Sequence, residues 1–124
     1  MEWTITLDAE KNYAEIVTGG VADKSGSMAM AKEIQRLLCE REIKNLLIDH
    51  RNIGAVSGGT VDVYQRPEEL SEIGLIPSVR VAEVVKSDHK AFFRFLETVC
   101  VNRGLLFSIF EDKKSALSWL FPSK

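Results

Sequence analysis

The sequence is poor in most of the residues that announce a chemistry. It has two cysteines, and Cys39 and Cys100 lie far apart with no C-x-x-C pair, which excludes a disulfide framework. Both fall on apolar faces of expected helices and read as buried, reduced thiols. Histidine is as scarce: His50 and His89 make no metal-ligand spacing with the cysteines, and only a meeting of the two across neighbouring strand ends, joined by Asp49, could hold an ion. No metal is therefore assigned. Lysine and arginine form no stripe and the formal net charge is -2, so nucleic acid finds no electrostatic handle. No apolar run approaches the ~18 residues a membrane-spanning helix needs. Met1-Glu2-Trp3-Thr4 lacks the basic start and long apolar core of a signal peptide, and a cytoplasmic location is expected. The glycine-rich stretch Gly54-Ala55-Val56-Ser57-Gly58-Gly59 lacks the Gly-Lys-Ser/Thr ending of a phosphate-binding loop, and no cofactor is expected.

What is present specifies a fold. The 124 residues are 45% hydrophobic and 27% charged, which suits one globular domain over residues 1–124 that buries about two-thirds of its unfolded surface. Trp3, Ile5 and Leu7 alternate with polar residues through Glu2 to Asp8, a strand of period two, and a polar connector leads to a second strand from Tyr13 to Thr18. Gly19-Gly20 is expected to end that strand, and Val21 to Gly26 to be a loop. A helix from Ser27 to Glu42, capped by Ser25 or Ser27, carries a stripe of Met30, Ile34, Leu37, Leu38 and Arg41. Lys44 to Asp49 is a third strand, and its unbroken Leu46-Leu47-Ile48 fits a central position covered on both faces. Thr60 to Ile73 reads as a second helix with a kink or restart at Pro67. Ser78 to Val85 is a fourth strand with Val79, Val81 and Val85 on one face. Ser87 or Asp88 caps a third helix, whose stripe is Phe92, Phe95, Leu96, Val99 and Cys100 and which Gly104 closes. Leu105 to Phe110 is the fifth strand, and Asp112 caps a fourth helix that ends at Leu120. The order is β-β-α-β-α-β-α-β-α: an α/β single domain with a mixed five-stranded sheet and four main helices.

The third strand Leu46-Leu47-Ile48-Asp49-His50-Arg51, the fourth strand followed by Lys86-Ser87-Asp88, and the ending Phe110-Glu111-Asp112 with Ala116-Leu117-Ser118-Trp119-Leu120 resemble the SpoIIAA-like (STAS-related) domain family over essentially the whole chain. The resemblance implies strands two to five parallel and successive, with the first strand antiparallel at their margin. In the anti-sigma-factor antagonists of that group a serine at the start of the helix after the third strand is phosphorylated by a partner kinase. The matching place is Val56-Ser57-Gly58-Gly59, with Val56 where the group has aspartate. Other relatives resemble lipid-transfer domains, which implies small apolar ligands.

Ligands of open α/β sheets sit at the carboxyl ends of the strands. Asp49, His50, Arg51, Ser57, Lys86 and Asp88 are expected on one such rim, together with Gly19-Gly20, His89 and Glu111-Asp112-Lys113. Arg51 and Lys86 would supply charge there, and amides near Ser57 would supply donors. Against this stands a purely solvated rim, with Asp49 paired to Arg51 and Asp88 and Asp112 spent as caps. Phosphate on Ser57 would gain charge-assisted bonds near Arg51, whereas the bland role for Ser57 is a cap. The expected function is a non-enzymatic regulatory or binding domain, acting through a protein partner or a small anionic or lipid-like ligand at the rim. The alternative is a small hydrolase using Ser57 with His50 or His89, although Ala55-Val56-Ser57-Gly58-Gly59 is not a nucleophile elbow. Phe93 and Val101 fall off the strict stripe of their helix, and with the uncovered face of the first two strands they are candidates for a homodimer contact.

Overall fold

The structure, a computed structural model, describes residues 1–8, 10–56 and 79–122. Five strands, β1 (Glu2–Asp8), β2 (Tyr13–Ala22), β3 (Asn45–Val56), β4 (Arg80–Val84) and β5 (Leu106–Phe110), form one sheet in the order β1-β2-β3-β4-β5. β1 runs antiparallel to β2, and β2 to β5 are parallel and successive, as the resemblance implies. Three α-helices are described: α1 (Lys24–Arg41), α2 (Lys90–Asn102) and α3 (Lys113–Leu120). The helix expected over Thr60 to Ile73, with Pro67, lies outside the described residues, as does Ser57.

Register fixes the two faces of the sheet. On the first face Ala14 and Ile16 of β2 stand beside Leu46 and Ile48 of β3, and these beside Val81 and Glu83 of β4. Met30 and Ile34 of α1 pack on the β2 and β3 end of that face, and Phe93, Leu96 and Cys100 of α2 pack with Val85 and Ile109 at the other end. Strands that advance in one direction through right-handed crossovers put their helices on the same side, which places α1 and α2 together. α3 covers the second face, where Ala116 and Leu120 meet Leu47, Ala82 and Val84. Leu46, Leu47, Ile48 and Val84 are buried because β3 and β4 are central and covered on both sides; each such side chain contributes roughly 1.5–3 kcal/mol.

Several boundaries differ from expectation. β2 continues through Gly19-Gly20 to Ala22, and β3 runs seven residues past Asp49. The two extensions pair with each other, Gly19 to Asn52, Gly20 to Ile53, Val21 to Ala55 and Ala22 to Val56, with register shifts on both sides of the glycines. Gly20 has φ +82, a backbone that glycine adopts without strain and that lets the ladder resume after the irregularity. The cap of α1 is Asp23, whose Oδ1 accepts from the Gly26 amide at 2.6 Å, so neither Ser25 nor Ser27 fills that role. Arg41, expected on the apolar stripe of α1, is exposed. α2 has no side-chain cap from Ser87 or Asp88: those residues form a 3-10 turn, Ser87–His89, that runs straight into the helix. At its other end Gly104 has φ +86 and bonds back to the Val101 carbonyl, the expected closure.

The stripe of α2 holds Leu96, Val99 and Cys100 inside as expected and differs at two phenylalanines. Phe93 is buried and Phe95 is 37% exposed, the reverse of the expected phase, while Val101 is exposed as expected. Cys100 is buried but Cys39 is exposed, so only one of the two thiols is a core residue. A polar staple joins the hairpin to the far end of α1: Asn12, at φ 54, accepts from the Lys44 amide and donates from Nδ2 to the Glu42 carbonyl at 2.9 Å. No helix among the described residues is long and apolar enough to cross a membrane.

Candidate functional site

Strand alternation splits the segment on which the sequence concentrates its polar chemistry. Asp49 and Arg51 point to the second face, and His50 between them points to the first. The three therefore do not share one rim.

On the second face Asp49 clamps Arg51. Arg51 donates from Nε to Oδ1 at 3.0 Å, from Nη2 to Oδ2 at 2.8 Å, and from its own amide to Oδ1 at 3.0 Å. Such a two-point contact fixes the guanidinium plane as well as its position. The Arg51 side chain is 45% exposed, so it is oriented and still presented to solvent. Burial pushes the Asp49 carboxyl up, but the Arg51 side-chain and backbone hydrogen bonds together hold it below the usual carboxylate value. Arg51 is held above its ordinary value, first by the hydrogen bond to Asp49 and then by its charge, with Asp112 and Glu15 adding at longer range. Around this pair Lys113 bridges to Glu15 at 2.6 Å, and the Tyr13 hydroxyl donates to Glu15 at 2.9 Å. Burial and that hydrogen bond raise the Tyr13 hydroxyl above its ordinary value. Asp112 caps α3, accepting from the Ser115 amide at 2.7 Å and from its hydroxyl at 3.0 Å, as the sequence predicts. Those bonds hold its carboxyl below the usual range.

On the first face His50 is buried in a polar array that the sequence reading missed. The Thr18 hydroxyl reaches the Asp49 carbonyl at 3.2 Å and His50 Nδ1 at 2.7 Å. It has one proton; with that proton given to the carbonyl, Thr18 Oγ1 accepts from Nδ1–H. Nε2 then faces Glu83 Oε2 at 3.3 Å. The ring stacks on Phe93, centroids 4.9 Å apart and planes within 16°, which explains why Phe93 is inside. Thr18, His50 and Glu83 are each at most 5% exposed. Glu83 Oε1 is buried and has no hydrogen-bond partner among the described residues. A cavity of about 90 Å³ is lined by residues of α1, α2 and the sheet, with Met30, Ala31, Phe93 and Leu96 among its apolar walls and His50, Glu83, Asp23 and Ser27 as its polar lining. A signal for Glu83 was available: period two puts it on the same side of β4 as Val81 and Val85.

The remaining candidates are scattered. Lys86 is half-buried just after β4, and Asp88 is exposed in the 3-10 turn that follows. His89 shares that turn, with Nδ1 buried and unpartnered among the described residues. Lys90 pairs with Glu111 at 3.0 Å on the surface. Among the described residues no group of three histidine, cysteine or carboxylate side chains is placed to hold a metal ion.

The sequence matches no family model and no curated protein. Solved structures match over nearly the whole length. The anti-sigma factor antagonist SpoIIAA in its unphosphorylated form is similar with TM-score 0.57 at 11% identity, covering 98% of this chain and 100% of that one. An uncharacterised protein from Shewanella loihica PV-4 with a SpoIIAA-like fold gives TM-score 0.58 at 20% identity, covering 95% and 93%. An anti-sigma factor antagonist from Mycobacterium paratuberculosis gives 0.61 at 13%, covering 96% and 94%. With the strand order, the antiparallel margin and the helix-capped ending all in place, the chain has the SpoIIAA-like, STAS-related fold.

Proposed function

We propose that the chain is a non-enzymatic regulatory domain that binds a protein partner through the surface around Asp49 and Arg51. The observation that supports this most is the clamp itself: an exposed guanidinium held in one plane by two carboxylate oxygens, ready to meet a carboxylate or phosphate on a partner at low entropic cost. Full-length likeness in fold to two anti-sigma factor antagonists adds weight, since such a domain works by protein contact. Lys86 and Asp88 extend the surface beyond β4, and Ser57, which follows Val56 directly in the chain, is the position at which phosphorylation would switch it. The hydrolase alternative gains no support. His50, its first candidate base, is engaged on one ring nitrogen by Thr18 and on the other by Glu83.

The test is cross-linking in the host cell followed by mass spectrometry, comparing wild type with Arg51→Glu and Lys86→Glu. A protein captured by wild type and lost with Arg51→Glu, while the circular dichroism spectrum is unchanged, is the expected result. A partner captured equally by all three would overturn the placement of the surface. Intact mass before and after phosphatase, on protein from the same cells, reads Ser57; an unmodified mass under every growth condition would remove the switch.

A further inference from the structure

The cavity between α1 and α2 is a separate feature from the Asp49–Arg51 surface, on the opposite face of the sheet, and its chemistry does not depend on that surface. Its walls are apolar apart from Asp23, Ser27 and the His50–Glu83 pair, and Glu83 is buried with only one oxygen engaged among the described residues. A buried acceptor without a donor costs about 1–3 kcal/mol, more when the group is charged. Structures retain such a group where a water or a ligand supplies the missing donor. Glu83 cannot turn Oε1 elsewhere without breaking its contact to His50, because the imidazole is itself fixed by Thr18 on one side and stacked on Phe93.

From this arrangement we infer that the cavity is a binding site for a small, largely apolar molecule carrying one hydroxyl or N–H donor, with the donor on Glu83 Oε1 and the apolar body against Met30, Phe93 and Leu96. Size and charge narrow the class. An apolar cavity of ~150 Å³ accepts benzene, so a cavity of about 90 Å³ is too small for an aromatic ring and takes a short branched chain. A ligand with a carboxylate or phosphate at this end would face the Glu83 oxygen with a lone pair and is excluded.

The experiment is a titration followed by amide and methyl NMR shifts, with 2-propanol and isobutane as a pair matched in shape and differing in the donor. Acetate is the charged control. The expected result is saturable shifts at Met30, Phe93 and Leu96 with 2-propanol, binding tighter than isobutane by about tenfold or more, as one hydrogen bond to a charged group implies. Acetate should leave these signals in place. The double variant His50→Leu/Glu83→Met, which replaces the pair by apolar side chains and is expected to fold, should lose the preference for 2-propanol while keeping isobutane. Ala31→Phe should fill the cavity and abolish both. Equal affinity of 2-propanol and isobutane in the wild type would overturn the assignment. So would a 2-propanol preference that survives in the double variant, or the absence of saturable shifts up to the highest concentration at which the protein stays folded, which would leave Oε1 to a water.

Discussion

Two acid–base pairs meet β3 at successive residues and on opposite faces, and they have opposite physical characters. Asp49–Arg51 is local, two residues apart on one strand, bidentate and open to solvent. His50–Glu83 joins two strands, is sealed between the sheet and α2, and is completed by Thr18 from a third strand. The first is formed by the strand's own geometry and survives wherever β3 survives. The second exists only when β2, β3, β4 and α2 are assembled together. A surface pair of this kind suits recognition, whereas a buried array suits either the definition of one packed state or the reception of a ligand. The difference predicts very different sensitivities to substitution.

The largest effect is expected on the buried side. His50→Ala or Glu83→Ala leaves the other member without its partner in a dry environment and should destabilise the fold by about 3–5 kcal/mol, read from urea midpoints. Replacing both, as in His50→Leu/Glu83→Met, removes the desolvation cost along with the pair and should be neutral to stabilising. If each single change costs under about 1 kcal/mol, the array is wetter than its burial indicates and the contrast between the two faces collapses.

Next in size is the neighbouring aromatic pair on α2. Phe93→Ala removes a ring buried against both His50 and Phe92, and should cost about 3 kcal/mol. Phe95→Ala, one turn-face away and partly exposed, should cost under about 1 kcal/mol. Equal losses would mean that the helix faces the sheet with the phase its sequence pattern alone predicts.

That helix shows where the sequence was legible and where it was not. The central strands could be read because Leu46-Leu47-Ile48 and the valines of β4 are continuous or strictly periodic, while the parallel, successive arrangement of strands two to five followed from the family resemblance. The caps Asp112 and Gly104 were legible because each satisfies a local backbone need. The extents of β2 and β3 were hidden: Gly19-Gly20 and Asn52 to Val56 pair through backbone groups, which composition does not report. Phe92, Phe93, Phe95 and Leu96 offer two nearly equal apolar stripes, and the choice between them is made by His50, a residue from a distant strand. Glu83 was passed over because a charge in a strand is normally read as solvent-facing, although its place in the alternation turned it inward. Asp49 and Arg51 were found, and their pairing was foreseen as the solvated-rim alternative; the strand runs on past Asp49, and residues two apart on a strand share a face. His50 was grouped with them by adjacency in sequence, the one relation that a strand reverses at every step.

The smallest expected change belongs to the exposed pair, and its pH dependence separates it from the buried one. Arg51→Ala should lower stability at neutral pH by less than about 1 kcal/mol, since half of the pair is in solvent and screened by salt. The sign with pH follows from the depressed Asp49 carboxyl. A group whose folded value lies below its unfolded one adds stability above the unfolded value, near ~3.9, and loses it as pH falls through the folded value. Without the Arg51 side chain the burial of Asp49 is opposed by the remaining backbone amide and the weaker influence of His50, so the carboxyl of the variant titrates higher and the variant no longer loses this contribution in the same range. The gap between wild type and Arg51→Ala, taken from urea midpoints at pH 7 and at steps below pH 5, should therefore narrow as the solution is acidified. It should also narrow in high salt at pH 7. A gap that stays constant to the acid limit, or that widens, would mean that Arg51 contributes through the packing of its aliphatic stem, and the clamp would then be a bystander in both stability and recognition.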